Sequence, residues 1–167
     1  MLSANVFVAG SDDYLAQPYV IREIEGRRIA IIGVTGRASI PGVEVRDPLA
    51  SVQAVVEEVR GEAEILILLS HTGVTLNRRI GAEVPELDLI ISGGSEAITP
   101  GPAFVGDGTA IVHADVSSAG HAGRRVGVGT WSFDAQGRLA GQSWQLVSLG
   151  ESLADDPEML TWLRDYK

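Results

Sequence analysis

Two runs of the sequence are apolar at every position, and this feature constrains the fold more than any other. They span residues 29–34 and residues 65–69, and they consist only of Ile, Leu, Val, Ala and Gly. A strand that is apolar on both faces belongs at the centre of a sheet that is covered on both sides. The chain is therefore predicted to be an α/β protein with a buried, largely parallel sheet.

The segments around these runs supply the turns and helices that such a sheet needs. Glu25-Gly26 separates a predicted strand at residues 19–24 from the first run, as the turn of a hairpin. Asp47-Pro48 provides an N-cap and a first-turn proline for one helix, and a second helix is predicted at about residues 75–83. A strand at residues 87–91 follows, so strands and helices alternate as they do around right-handed crossovers.

The last third of the sequence has a different pattern. Short strands separated by glycine turns are predicted at residues 110–114, 125–133 and 138–147, as an antiparallel meander. Asp156-Pro157 then opens a final helix. Its apolar residues recur with helical spacing, so this stripe must bury against its own domain or another subunit. The stripe consists of Met159, Trp162, Leu163 and Tyr166.

Charge and composition exclude several classes of function. The net charge of −9 and the pI near 4.7 argue against nucleic-acid binding, which needs clustered Lys and Arg. No run approaches the roughly 18 apolar residues that a membrane-spanning helix needs. The absence of cysteine excludes disulfides, thiolate metal sites and cysteine nucleophiles. The three tryptophans are predicted to be core or interface residues, namely Trp131, Trp144 and Trp162.

Polar clusters follow two neighbouring strands of the predicted sheet. Ser70-His71-Thr72-Gly73 comes directly after the second apolar run, and Ser92-Gly93-Gly94-Ser95-Glu96 follows the strand at residues 87–91. The carboxyl ends of parallel strands meet at one edge of a sheet, and ligands of open α/β sheets bind there. Both clusters are therefore predicted to lie on one rim, which is the candidate functional site.

Five segments, taken in order, resemble one known family. They are Ser3-Ala4-Asn5-Val6, Pro18-Tyr19 with its hairpin, Leu69-Ser70-His71-Thr72-Gly73, residues 84–93 and Gly108-Thr109-Ala110-Ile111-Val112. Their order and spacing resemble the C-terminal half of calcineurin-like metallophosphoesterases, in the branch of the periplasmic 5'-nucleotidases and cyclic phosphodiesterases. The resemblance implies half of an αββα sandwich over residues 1–150, with a mixed sheet and an antiparallel meander, and a linker-like C-terminal helix over residues 151–167.

The resemblance also implies a metal site, of which this chain carries a small part. In that family two divalent metals polarise a phosphate ester and supply a bridging hydroxide. The first three ligand motifs belong to the N-terminal half, which the resemblance places before this chain. Of the other two motifs, Ser70-His71-Thr72-Gly73 preserves one, so His71 resembles a metal ligand. In the last motif Gly94 and Glu96 stand where two histidines are expected, which leaves Glu96 as a candidate oxygen ligand.

Each candidate ligand also has a purely structural interpretation. His71 taken alone is better explained as a neutral histidine held at a strand end by a backbone partner, because a metal needs further ligands. Glu96 is better explained as a solvated loop carboxylate. A repaired site would need His71, Glu96 and one further histidine, either His113 or His121.

Two other kinds of site are disfavoured by the residues themselves. The stretch Ser92-Gly93-Gly94-Ser95 has backbone amides for a phosphate but lacks a Walker lysine and a dinucleotide-loop pattern, so a turn is the better interpretation. Ser70, His71 and Asp88 do not form a nucleophilic triad, because neighbouring residues on a strand point to opposite faces.

Two hypotheses of function follow. The first is a non-catalytic accessory or scaffold module of a larger assembly, favoured because the changes at Gly94 and Glu96 are internal to the chain. The second is the C-terminal half of an active phosphohydrolase, whose N-terminal half lies upstream or on another chain. Both hypotheses predict that the chain needs a protein partner or its missing N-terminal half. The chain alone is expected to hold no cofactor. If it is active together with an N-terminal half, the two halves are expected to bind two divalent metal ions. Family resemblance alone points to a periplasmic or other extracytoplasmic location.

Overall fold

A computed structural model describes residues 1–94, 101–114, 123–150 and 153–166. Within them the chain forms ten strands and three helices, whose order alternates between strand and helix only in its middle part. The strands are β1 (Val6–Val8), β2 (Tyr19–Ile24), β3 (Arg27–Thr35), β4 (Val43–Val45), β5 (Ile65–His71), β6 (Leu89–Ser92), β7 (Ala103–Val105), β8 (Thr109–His113), β9 (Arg125–Phe133) and β10 (Leu139–Ser148). The helices are α1 (Pro48–Val59), α2 (Val74–Glu83) and α3 (Pro157–Asp165).

A mixed sheet of six strands is the centre of the fold. Its strand order is β2-β3-β5-β6-β8-β7. The four inner strands run parallel to one another, and β2 and β7 are antiparallel at the two edges. The predicted α/β class with a mixed sheet, antiparallel strands and a terminal helix is confirmed.

The sequence signals at two element boundaries act as predicted. Glu25 and Gly26 both have positive φ, 53° and 77°, as the tight turn between antiparallel strands requires. Asp47 caps α1 by accepting a hydrogen bond from the N–H of Ala50 at 3.0 Å, and Pro48 occupies the first turn. Local chemistry therefore fixes where these elements begin and end.

Helices α1 and α2 cover one face of the sheet and form the main core with it. The helices contribute their valine and isoleucine stripes, while β3, β5 and β6 contribute every second residue. Leu68 and Ile90 are fully buried there. This alternation makes one face of each inner strand a core surface and leaves the other face to be covered by other elements.

Strand β8 differs from the sequence prediction. The prediction placed residues 110–114 in an antiparallel meander with the two strands that follow, and this is wrong, because β8 lies parallel to β6 inside the main sheet. Strands β9 and β10 form a separate two-stranded antiparallel hairpin, and β1 and β4 form another small antiparallel sheet. The pairing of β8 depends on a distant partner strand, and its own apolar residues do not specify that partner.

The N-terminal segment lies directly on β3. A β-carbon at Gly33 would lie 2.4 Å from the carbonyl oxygen of Leu2, so only glycine permits this approach. The N–H of Ala4 donates to the carbonyl of Gly33 at 2.7 Å. The side chain of Asn5 bonds to the backbone of Thr35 in both directions and to the carbonyl of Arg46. The segment is thereby fixed to the sheet.

Helix α3 has no buried residue. Its stripe of Met159, Trp162 and Leu163 is about half exposed, so the predicted packing on its own domain is wrong for the described residues. Trp162 and Tyr166 contact each other, with ring centroids 4.5 Å apart. The stripe remains available to another protein segment.

Candidate functional site

The carboxyl ends of β5, β6 and β8 form one rim, as predicted. Ser70 lies beside Ser92, which in turn lies beside His113. Residues paired across neighbouring strands point to the same face, and all three side chains are buried on the helix-covered side. Nδ1 of His113 lies 3.3 Å from Oγ of Ser92, and its buried Nε2 has no hydrogen-bond partner among the described residues.

His71 lies on the opposite face of the rim and is exposed. Its carbonyl oxygen accepts a hydrogen bond from the N–H of Gly36 at 2.9 Å. The preceding carbonyl, that of Ser70, accepts one from the N–H of Gly93 at 2.7 Å. The backbone around His71 is thus held on both sides, while the imidazole faces outward.

Two glycines lie beside the His71 ring. A β-carbon built at Gly93 would lie 3.3 Å from Cδ2 of His71, and one built at Gly94 would lie 3.9 Å from Nε2. Gly94 has a φ of +120°, which residues with a β-carbon rarely adopt. The position where the resemblance expects a histidine therefore lacks a side chain and also has a backbone conformation suited to glycine.

The described residues do not fit a metal centre. Across the four described ranges, no group of three or more His, Asp or Glu side chains is placed to hold a metal ion. His113 cannot join His71, because the two side chains point to opposite faces of the sheet. Glu96 and His121 lie outside the described residues. A catalytic zinc site needs about three protein ligands, and His71 is a single one.

An apolar concave surface surrounds His71. We call the exposed side of the sheet around Leu69, His71 and Ile91 the open face. Leu69 is 39% exposed and Ile91 is 42% exposed, although both lie on inner strands. The N-terminal segment borders the concavity, whose volume is about 590 Å³. An apolar surface of this kind at the centre of a sheet is typical of a place where another layer packs.

The hairpin of β9 and β10 covers the neighbouring part of the same sheet face. Trp131 and Trp144 pack on a cluster formed by Leu89, Ala110 and Val112. The two indole rings lie edge to face, with centroids 6.1 Å apart. They lie over Gly127 and Gly129, where any β-carbon would overlap the rings. These two tryptophans are therefore partly buried and pack against the core, which agrees with the predicted core or interface role.

The remaining predicted residues have structural roles. Ser70 points away from His71, so the pair cannot act as nucleophile and base. The carboxylate of Asp88 accepts a hydrogen bond from the N–H of Leu66 at 2.9 Å, at the opposite end of the strands from the rim. Burial raises the pKa of Asp88, and the Leu66 hydrogen bond partly opposes this rise.

Sequence reasoning missed Asn77, which is fully buried on α2 beneath the rim. Its side chain bonds to hydroxyls that belong to the two polar clusters. The sequence contained a signal for its burial. Asn77 stands three residues before Ile80 and four before Gly81, so all three lie on the buried side of the helix. A polar residue among the buried positions of a helix indicates a partner within the protein.

Comparison with known proteins gives a consistent but partial set of relatives. No family model matches the chain. The uncharacterized metallophosphoesterase YunD of Bacillus subtilis is 36% identical over 85 residues, which cover 46% of this chain and 18% of YunD. The 5'-nucleotidase of Vibrio cholerae is 29% identical over 118 residues, which cover 58% of this chain and 21% of that protein.

Solved structures match nearly the whole chain. The sulfate thiohydrolase SoxB of Thermus thermophilus superposes with a TM-score of 0.85 at 26% identity, over 98% of this chain and 31% of SoxB. A 5'-nucleotidase precursor from the same organism has a TM-score of 0.79 at 22% identity, over 99% of this chain and 37% of its own. Among the described helices, none has the length and apolar character to cross a membrane.

The sequence relatives and the solved structures agree with one another. The chain is homologous to part of the metallophosphoesterases and 5'-nucleotidases, a metal-dependent family, and its fold is consistent with the C-terminal half of their calcineurin-like domain.

Proposed function

We propose that the chain is a non-catalytic module of metallophosphoesterase type, which binds through its open face to a second protein layer in a larger assembly. The observation that supports this most directly is Gly94, which stands beside His71 where the resemblance expects a histidine. A two-metal phosphoesterase needs several ligands around each ion. The described residues place one histidine on the open face of the rim, and Gly94, whose β-carbon would lie 3.9 Å from its Nε2, has no side chain to join it.

The backbone at Gly94 strengthens this proposal. A histidine introduced there would have to adopt a φ of +120° or move the loop. The loss of a ligand at this position therefore involves both the side chain and the conformation. Even with Glu96 as an oxygen ligand, His71 and one carboxylate would fall short of about three protein ligands.

The proposed occupant of the open face is a protein layer equivalent to the one that the longer relatives carry beyond the matched region. This chain spans 31% and 37% of the two structural neighbours described above. Leu69 and Ile91 offer that layer an apolar surface, and none of the described residues that line the concavity is acidic, although the chain as a whole carries a net charge of −9. In this proposal residues 1–150 form the partial domain, residues 151–167 link it to other protein, and the assembly is periplasmic.

A second candidate function is favoured by the retention of His71 on the open face. In that case the chain is the C-terminal half of a metal-dependent phosphohydrolase acting on nucleotide phosphate esters. The N-terminal half would supply the other ligands, and the two divalent ions would polarise the ester and supply hydroxide. His71 would then act as one ligand, held outward by the backbone hydrogen bonds on either side of it.

Metal analysis of the assembly separates the two candidates. The chain, purified with its natural partners, is analysed for bound divalent ions and for phosphate release from a nucleotide and from a model ester. The non-catalytic proposal predicts neither tightly bound metal that depends on His71 nor phosphate release. About two equivalents of metal, lost together with phosphate release in His71→Ala, would establish the phosphohydrolase instead.

A further inference from the structure

We propose that Asn77 is a positioning residue for His71: its buried amide holds the residues on both sides of that histidine and so fixes the imidazole on the open face. The proposal rests on the proposed function in one respect, namely what a fixed His71 is used for, either contact with a docked protein or binding of a metal. The positioning itself follows from the hydrogen bonds beneath the rim.

The first contacts are with the neighbours of His71 in the sequence. Oγ of Ser70 donates to Oδ1 of Asn77 at 2.6 Å, and Oγ1 of Thr72 donates to the same oxygen at 2.8 Å. The two hydroxyls also lie 3.0 Å from each other. Because residues 70 and 72 point to the helix side, the residue between them must point outward. Asn77 thus holds both sequence neighbours of His71 on the helix side of the sheet.

The other end of the Asn77 amide reaches the neighbouring strands. Its Nδ2 donates to Oγ of Ser92 at 2.8 Å, and Ser92 continues to Nδ1 of His113. One side chain of α2 therefore joins the ends of β5, β6 and β8. The same contact holds the residue directly before Gly93, and Gly93 lies beside the His71 ring.

Packing alone does not explain this network. Asn77 is fully buried, and Ser70, Ser92 and His113 are each less than one-tenth exposed. Burying such groups costs stability unless each is hydrogen-bonded, and apolar residues would fill the same space without that demand. A polar network has one property that apolar packing lacks, which is a fixed direction for each bond. Here that direction is imposed at the rim that carries His71, which is where a functional side chain needs support.

Two variants of Asn77 test the proposal. Asn77→Leu removes all three hydrogen bonds and keeps a similar volume. Asn77→Asp keeps an acceptor for Ser70 and Thr72, and the hydroxyl of Ser92 can turn to donate to it. The three-bond couplings of the His71 ring carbon to the backbone report its χ1 rotamer in the isotope-labelled chain. We expect one rotamer in the wild type and in Asn77→Asp, and loss of that single-rotamer signature in Asn77→Leu.

A matched control separates positioning from general destabilisation. Ile80→Ala removes a fully buried side chain from the next turn of the same helix. The isoleucine side chain forms no hydrogen bond to Ser70 or Thr72, because it has no polar atom. This variant is expected to lower stability and leave the His71 couplings unchanged. In Asn77→Leu the Gly93 amide is also expected to exchange at least about tenfold faster, because the strand end that holds it is released.

Unchanged His71 couplings in Asn77→Leu, or equal averaging in Ile80→Ala, would overturn the proposal. If Asn77→Leu does not fold, the double variant Ser70→Ala with Thr72→Val removes the same two bonds from the other side and is expected to average the His71 rotamer. Neither readout requires a partner, a metal or an activity. Unchanged His71 couplings would therefore not contradict the proposed function. If the proposed function is wrong, the couplings still show whether Asn77 positions His71.

Discussion

The two faces of the six-stranded sheet are built from alternate residues of the same strands, yet the described residues cover the two faces unequally. On the helix-covered face, Leu68 and Ile90 are fully buried. On the open face their immediate neighbours, Leu69 and Ile91, are 39% and 42% exposed. The strands were apolar on both sides in the sequence, so the difference lies in what covers each face. Among the described residues, the partly exposed apolar face of these inner strands supports the second protein layer that we propose.

The largest expected effect comes from comparing adjacent leucines of β5. Leu68→Ala removes a fully buried side chain and is expected to lower the free energy of unfolding by about 2–5 kcal/mol. Leu69→Ala, on the open face, is expected to lower it by less than about 1 kcal/mol in the free chain, because the side chain is already partly solvated. Urea unfolding of both variants checks this. Equal losses would mean that the open face is covered within the chain.

Charge on the open face is expected to act on assembly more than on stability. Ile91→Lys should weaken binding of the natural partner by roughly 1.5–3 kcal/mol, the value of burying one isoleucine, or about ten- to hundredfold in Kd. Ile24→Lys, at the exposed edge strand β2, is the matched control and should bind normally. Titration calorimetry measures both. Unaltered affinity of Ile91→Lys would place the partner elsewhere.

The N-terminal segment borders the open face beside His71. Gly33→Ala would place a β-carbon 2.4 Å from the carbonyl oxygen of Leu2, so the segment must shift. We expect a loss of about 1–3 kcal/mol, as for other overpacked sites. Gly61→Ala, where nothing lies within 4 Å and φ is not positive, serves as the control in the same thermal unfolding experiment. Similar losses at both positions would contradict the close approach.

The smallest effect concerns Asp88, at the end of the strands opposite the rim. Burial raises its pKa in the folded state, so its contribution to stability is present below its ordinary pKa and is lost as the pH rises through the raised value. The stability of the wild type relative to Asp88→Asn should therefore increase as the pH falls from neutral towards about 4. Chemical unfolding across this range measures the difference. A flat or opposite trend would contradict the burial effect.

Local chemistry explains which features were predictable from the sequence. The turn at Glu25-Gly26 and the cap at Asp47 each depend on a few adjacent residues, and both were predicted. The parallel partner of β8 was not, because β6 lies well before it in the chain and the intervening residues carry no signal of direction. The conformation of Gly94 was also beyond prediction, since glycine adopts positive and negative φ about equally well.

Asn77 is a functional candidate that the sequence analysis did not identify, although its position on α2 could be read from the sequence. The second helix was predicted at about residues 75–83 and lies at Val74–Glu83, where Asn77 is one of the buried positions. Its partners, Ser70 and Ser92, were both identified as parts of rim clusters. Their contact with Asn77 depends on how α2 packs against the ends of β5 and β6, which the sequence does not show. The His71 ligand role and the role of Glu96 stay predictions.

The central claim is that a second protein layer covers the open face, and because the chain has no cysteine, single-cysteine labelling tests it directly. Ile91→Cys and the control Ile24→Cys are each reacted with a maleimide, in the free chain and in the natural assembly. The account predicts that both cysteines react rapidly in the free chain, and that only Cys at position 91 is protected, by more than about tenfold, in the assembly. A cysteine at position 91 that reacts equally fast in the assembly would contradict it.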